Sequence, residues 1–440
     1  MHAIQTSGNC IRNVTTDPFA GASPDERLDP RPWCELIRQW SSLHPEFEWL
    51  PRKFKIAVNA AESDRAAIRL HDIGLEAFET EDGVCFDVYV GGGQGRTPVI
   101  GQCIRRALPA RDLLTYLTAI LRVYNRYGRR DNKYKARIKI LLRAFGAEGF
   151  AARVEEAFDA VRDGPQTLVD EEVARVSMRF TRPDFAPAGD GDALAQALAD
   201  DARFARWHAR NVRDHVEPGH SSVVLSLKRP GTPPGDASDE ELDAIADWAE
   251  RWAYGELRIT HEQNVVLPHV RSDALPALFA EAERLGLVEA NFGLLTDMIC
   301  CPGGDFCSLA NAKSLPVADA LAERFASPER LEALGPIALN ISGCMNACGH
   351  HHVGDIGILG VDKKGEEFFQ VSIGGDAGVG GEAALAKILG PSFRREEIPD
   401  VVEQLTEVFV ERRSPGEPFA ACVKRVGIEP FKERVYGKAA

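Results

Sequence analysis

This 440-residue chain contains no run approaching the roughly 20 apolar residues that span a bilayer. Its opening residues, MHAIQTSGNC, have no basic segment followed by an apolar core, so they do not read as a signal peptide, and a cytoplasmic location is expected. Positive balance is lacking too. The net charge is −14, which argues against general binding to nucleic acid or anionic membrane. Neither close cysteine pair has the short internal loop of a structural zinc knuckle. Gly91-Gly-Gly93 lacks the Gly-x-Gly-x-x-Gly spacing and the strand–helix context of a dinucleotide loop.

What remains is ordinary in bulk and unusual in detail. Apolar residues make up 44% and charged residues 27%, and the length implies two or three domains with ample core. Ten cysteines in a reducing compartment read as metal ligands, catalytic groups or small core residues rather than disulfides. Four of them stand out. Cys301 and Cys307 enclose five residues in CPGGDFC, and Cys344 and Cys348 enclose three in CMNAC. Thiolates in fours hold 4Fe–4S clusters. Zinc and buried free cysteine remain open on spacing alone. Gly, Pro and Asn around the pairs leave backbone N–H groups for cluster sulfurs. Cys300 is set aside, because adjacent residues rarely reach one cluster, and Cys10, Cys34, Cys85, Cys103 and Cys422 read as small core residues. Basic residues concentrate in Arg122–Arg143 and in Arg52, Lys53 and Lys55. Such runs suit either a cationic pocket or a solvated helix face.

The chain resembles itself. Tyr89-Val-Gly-Gly-Gly pairs with Ser372-Ile-Gly-Gly-Asp, Arg143-Ala-Phe-Gly with Arg425-Val-Gly, and the helical pattern from Leu108-Pro with that from Ile398-Pro. A repeat this long predicts a duplicated domain. Arg12 to Lys53 spans the same interval as Cys307 to Cys348. On that alignment one repeat presents cations where the other presents thiolates, and a pseudo-twofold axis would set them face to face. Residues 215–275, with a strand, a helix and a strand, read as a small α+β module. The expected division is 1–165 for the first repeat, 166–214 for a connector, 215–275 for the module and 276–440 for the second repeat. The first repeat has no such module ahead of it, which predicts a missing N-terminal half-domain.

CPGGDFC followed by SGCMNACG resembles the signature of the sirohaem-containing nitrite and sulfite reductases, and SGNCIRNVTTDPFAG, LPRKFK, YVGGG and LRITHEQN are similar to other motifs of that family, in order and nearly end to end. The resemblance implies an α+β, pseudo-twofold fold with ferredoxin-like half-domains, binding sirohaem next to a 4Fe–4S cluster. It implies that Cys301, Cys307, Cys344 and Cys348 ligate the cluster and that Cys348 also joins it to the sirohaem iron. Arg12, Lys53 and Lys55 would hold the substrate anion and help deliver protons to it. Sirohaem carries eight carboxylates, and Arg129, Arg130, Lys133 and Arg137 are expected partners. Arg258, Gln263 and Asn264 resemble the half-domain motif that approaches the cofactors. Gly91–Gly93 would let backbone approach the macrocycle. His350, His351 and His352 read as a polar segment packing near the cofactor edge.

The activity implied is six-electron reduction of sulfite to sulfide. Lys55 favours sulfite, because many nitrite reductases of the family carry Asn there. No flavin or nicotinamide segment is visible, so electrons are expected from a ferredoxin or an NADPH-dependent flavoprotein. The alternatives are nitrite reduction to ammonia, a precorrin-3B synthase-like role, and a shortened, non-catalytic Fe–S protein. A chain lacking its first half-domain is expected to hold sirohaem poorly.

Overall fold

The computed structural model describes residues 7–187, 189, 191–379 and 381–437. Three sheets organise it. The first runs in sequence order through β1 (Ile11–Thr15), β2 (Phe54–Asn59), β3 (Ile73–Thr80), β4 (Gly83–Val90) and β5 (Gln102–Pro109). The second contains β6 (Val212–Asp214), β7 (His220–Leu225), β8 (Arg258–Ile259) and β9 (Val265–Arg271), in the order β6-β7-β9-β8. The third runs in sequence order through β10 (Ile299–Cys300), β11 (Leu339–Ser342), β12 (Ile356–Lys363), β13 (Glu366–Ile373) and β14 (Lys387–Ile388). The fold is α+β and duplicated. In both five-stranded sheets the first three strands are parallel and the remaining pairings antiparallel.

Local sequence accounts for this plan. β2 buries Phe54, Ile56, Ala57 and Val58 consecutively or nearly so, as a parallel strand covered on both faces must. β3 and β12 share one burial pattern, buried at their starts and exposed at their ends. Helices Leu113–Tyr127 and Ile398–Arg412 have the same length and pack on the respective cores. The helix repeat expected from the shared Leu/Ile-Pro start is displaced. Pro109 closes β5, a turn at Ala110–Asp112 follows, and Leu113 is the counterpart of Ile398. Proline fits both places because neither a strand end nor a first helical turn requires its missing N–H.

Two glycine pairs mark the duplication. Gly146 (φ 71°) bends the helix Ile138–Asp159, and Gly427 (φ 78°) separates Phe419–Val426 from Glu429–Tyr436. Gly91 and Gly374 also have positive φ, and each donates its N–H to the carbonyl of the aspartate preceding β3 or β12, Asp72 at 3.0 Å and Asp355 at 2.8 Å. Only glycine adopts this backbone without strain.

Each sheet has its own core. Phe86, Tyr124 and Phe150 belong to the first, Phe369, Phe409 and Phe431 to the third, and Trp207, Trp248 and Phe279 to the second. Within residues 166–214, the helix Asp170–Ser177 sends Val176 into the first core, while Ala202–Asn211 sends Phe204 and Trp207 into the second. The two repeats meet over a small apolar cluster containing Ala67, Leu70 and Val353. Leu70 and Val353 hold equivalent places, each three residues before its strand β3 or β12. A residue sharing a contact zone with its own counterpart is what a twofold axis produces. Among the described residues, no helix is long and apolar enough to cross a membrane.

Candidate cofactor and anion site

Sheet register fixes which residues of the repeats correspond. Ile56 pairs with Ile73 as Leu339 pairs with Ile356, and Thr15 pairs with Ala57 as Ile299 pairs with Asn340. Carried forward along the loops, Asp17 corresponds to Cys301 and Arg65 to Cys348. Arg12, Lys53 and Lys55 instead stand at the starts of β1 and β2, while Cys301 and Cys344 follow the ends of β10 and β11. The expectation that cations and thiolates occupy equivalent places is therefore corrected. The matching interval misled because an interval is unchanged when both of its ends slip together.

Packing nevertheless brings the two groups together. The Cys348 thiol is exposed, and its pKa is pushed up by burial of its surroundings and by Cys301 and Cys344, while Lys53 acts in the opposite direction. Cys307 also acts on it, so the other three thiols all lie within electrostatic reach of Cys348. Their loops are cross-tied through backbone. Cys301 N–H donates to Ile341 O at 3.1 Å, and the N–H groups of Asn311 and Ala312 donate to Gly343 O at 2.8 and 3.1 Å. Gly343 N–H donates to Cys301 Sγ at 3.1 Å. A Cβ on Gly343 would lie 2.6 Å from Gly303 Cα, so glycine is required for these loops to close. Four converging thiols, one already accepting a backbone N–H, fit an iron–sulfur cluster. Among the described residues, no three His, Cys, Asp or Glu side chains are placed to hold a single metal ion.

The cations form the facing wall. Burial, then Lys55, Arg137, Arg12 and Arg52, push Lys53 down; burial and Arg137 do the same to Lys55, which also feels the Cys348 charge. Neither ammonium group has an ion-pair or hydrogen-bond partner among the described residues. Cations that repel one another at a half-buried surface are the electrostatic complement of a polyanion. Arg12 donates to its own loop, through Nε and Nη2 to Gly8 O at 3.0 and 2.8 Å. Arg137 is held by fully buried Asp72 at 2.9 and 2.7 Å, and the other Asp72 oxygen accepts the Lys55 backbone N–H at 3.0 Å. Asp72 thus aims the start of β2, a role sequence reasoning missed, although the matching Asp355 before β12 was a visible signal.

The rest of the basic run divides. The helix ends at Tyr127 and the next begins at Ile138, so Arg129, Arg130 and Lys133 lie in an exposed, non-helical stretch rather than on a helix face. Arg129 pairs with Asp131 and Arg130 donates to Asn125 Oδ1, both at 2.5 Å, and Lys133 sits over the Tyr134 ring. Lys139, also missed, is buried and donates to Gln94 O at 2.7 Å and Gly93 O at 3.3 Å; burial and Arg137 push it down to about 8. It holds the glycine loop, where His352 Nε2 lies 3.0 Å from Gly95 O and Arg96 Nε donates to Met345 Sδ at 3.2 Å. His351 is buried and His350 half-buried.

The half-domain residues act on protein. Arg258 Nη1 donates to Pro18 O and Ala20 O at 2.8 and 2.7 Å, clamping the loop after β1. Gln263 brackets Cys300, donating to its carbonyl at 3.0 Å and accepting its N–H at 2.8 Å, immediately before Cys301. Asn264 Oδ1 accepts from Lys228 Nζ at 2.8 Å, and its Nδ2 donates to Asp297 at 2.9 Å. One half-domain therefore pins the corresponding loops of both repeats.

A family model described as the nitrite and sulphite reductase 4Fe-4S domain matches residues 7–161 and 294–440, and one described as the nitrite/sulfite reductase ferredoxin-like half domain matches 228–285. The chain is 28% identical over 446 residues to Sulfite reductase (ferredoxin) 1 of Mycolicibacterium paratuberculosis, covering 98% of this chain and 72% of that protein. It is 28% identical over 413 residues to the ferredoxin–nitrite reductase of Synechococcus elongatus, covering 92% of this chain and 73% of that protein. Its fold is similar to the structure of the Mycobacterium tuberculosis NirA protein, with a TM-score of 0.76 and 26% identity, over 97% of this chain and 72% of that one.

Proposed function

The chain belongs to the nitrite and sulphite reductase family, and on that premise we propose that it is a sulfite reductase, carrying sirohaem beside a 4Fe–4S cluster and taking sulfite to sulfide with six electrons from a ferredoxin. The observation that carries the reading is the pair Lys53 and Lys55, two ammonium groups without a partner among the described residues and within electrostatic reach of Cys348. Relatives named for a ferredoxin donor reduce one oxyanion or the other, and nitrite is the runner-up substrate.

Cys301, Cys307, Cys344 and Cys348 would hold the cluster, and Cys348 would also join it to sirohaem, as the family resemblance implies. When bound, sirohaem supplies an iron that ligates the anion and passes electrons to it. Lys53 and Lys55 hold the anion's oxygens, and Arg12 completes that wall. Their positive charge strengthens the polarisation of each bond to oxygen as negative charge builds on the departing atom. Arg137 and Asp72 fix the β2 start, so the lysines do not need to reorganise during the reaction. The second lysine suits the more highly charged anion.

Steady-state assays with sulfite and nitrite and a reduced ferredoxin test this. Sulfite is expected to give the higher kcat/KM, and Lys55→Asn to lower that value for sulfite by roughly 10- to 100-fold while sparing nitrite. A large preference of the unmodified protein for nitrite would replace this substrate assignment with the runner-up.

A further inference from the structure

The hairpin tip Thr260–Asn264 of the half-domain carries two groups that the proposed chemistry has not used. Thr260 N–H donates to Asn264 O at 2.9 Å, and Gln263 N–H donates to Thr260 O at 3.2 Å, with Gln263 at φ 64°. The tip is clamped on both sides of Glu262. Lys228 Nζ donates to Glu262 O at 2.6 Å, and Gln263 brackets Cys300. Between these clamps, His261 Nε2 lies 2.9 Å from Glu262 Oε1, and the two side chains keep 38% and 33% of their surface accessible.

Charged groups from three parts of the fold meet here. Asp17 and Asp64 of the first repeat act on His261, as Glu262 does. His261 in turn acts on His71 of the first repeat and His350 of the second, and Lys55 acts on both of those. The Gln263 bracket of Cys300 sets the tip beside the Cys301 loop, and charges of both repeats act on it there. His71 is not a usable proton carrier, because burial pushes it down to about 3. His261 is raised: burial opposes its charge, and Glu262, Asp17 and Asp64 together outweigh it. Lys53 and Lys55 hold the anion, and a histidine exchanges protons readily near neutral pH.

We propose that His261 and Glu262 form a proton relay into the anion pocket. The relay rests on the reading of the site as an oxyanion reductase. Each oxygen that leaves sulfite departs as water and takes up two protons, while the electrons come from the ferredoxin. Glu262 holds the Nε2–H of the imidazolium at 2.9 Å, the Nδ1 proton leaves through solvent toward the departing oxygen, and solvent returns a proton to Nδ1. The imidazole ends each cycle as it began, with no bond to carbon or sulfur made or broken. His261 acts here as a positioning residue for protons, and Glu262 sets its charge state.

The test uses the cofactor-loaded protein with His261→Gln and Glu262→Gln. His261→Gln is expected to lower kcat for sulfite roughly 10- to 100-fold. KM and sirohaem absorbance should stay as in the unmodified protein. Glu262→Gln is expected to shift the pH profile of kcat toward acid. An independent readout follows carbethoxylation of His261 against pH by peptide mass mapping. Its half-point should lie above the ordinary histidine value and fall in Glu262→Gln. Normal turnover with kcat and pH profile unchanged in His261→Gln overturns the relay alone, as does a half-point indifferent to Glu262. No turnover of either anion by the unmodified protein overturns the functional reading and the relay together.

Discussion

The loops after the first two parallel strands are tied in both repeats, but with different chemistry. In the first repeat Arg65 does the tying, reaching Asp17 and Asp25 at 2.6 Å each. In the second, the corresponding loops carry Cys301, Cys307, Cys344 and Cys348, with Cys301 matching Asp17 and Cys348 matching Arg65. One scaffold position thus accepts either an ion pair, complete in the polypeptide itself, or a set of thiols that only a cluster can join. The anchoring also differs. Arg258, linked through Glu256 to His269 and His215, clamps the first loop, whereas the neutral amide of Gln263 clamps the second. The first repeat is tied by charge and is open to pH. The second is tied by soft ligands and neutral hydrogen bonds.

This contrast can be broken at its strongest point first. Cys348→Ser is expected to reduce bound iron and labile sulfide to below roughly a tenth of the unmodified level, since cluster binding and loop order are coupled. Chemical iron and sulfide assays check it, and iron retained in full would show that the thiols are not the tie. Next in size is Arg65→Met. It strands Asp17, whose side chain is 1% accessible, and is expected to cost about 3–5 kcal/mol in denaturant unfolding. Iron content should not change, because this tie belongs to the other repeat.

Acid should separate the two anchors more gently. His215 Nε2 lies 2.9 Å from His269 Nδ1, beneath Phe185, and burial pushes His215 down to about 4 and lowers His269 as well. A histidine whose folded pKa is depressed takes up its proton first in the unfolded chain. Its contribution is therefore present above the ordinary histidine pKa and is lost as pH falls from about 6.5 towards 4. Stability is expected to drop by about 1–2 kcal/mol between pH 7 and 5. His215→Gln should flatten that slope in thermal unfolding, and hydrogen exchange should show residues 17–22 loosening before residues 299–307. The smallest expected effect is that of Arg129→Ala. Its exposed pair with Asp131 is screened by solvent, and neither melting temperature nor sirohaem absorbance should move.

The parts of the fold legible in the sequence were those written in local chemistry. Gly91 with Gly374, and Gly146 with Gly427, revealed the duplication because each sits at a positive φ that other residues resist. The cysteine pairs were legible because few residue types bind soft metals. The alignment of the halves was not. Arg12 and Lys53 matched Cys307 and Cys348 in interval but not in register, and only the pairing of β2 with β3 and of β11 with β12 separates the two. Within the basic run, Arg137 differs from Arg129 by its buried partner Asp72, which is distant in sequence and carries no local mark. His261 and Glu262 lay inside a motif that had already been noticed, yet their importance depends on what faces them.

By itself, then, the sequence determined the donor set, the duplication and the α+β class, because thiolates, positive-φ glycines and apolar periodicity are properties of neighbouring residues. Tertiary structure decided which ends of the two sheets face each other. A parallel strand has two ends, and its residues do not say which will meet a partner. That choice falls to contacts such as the cluster of Leu70 with Val353, made between segments far apart in the chain. It puts Lys53 and Lys55 of one repeat within reach of Cys348 of the other, a pairing held by burial at the pseudo-twofold rather than by anything local to either motif.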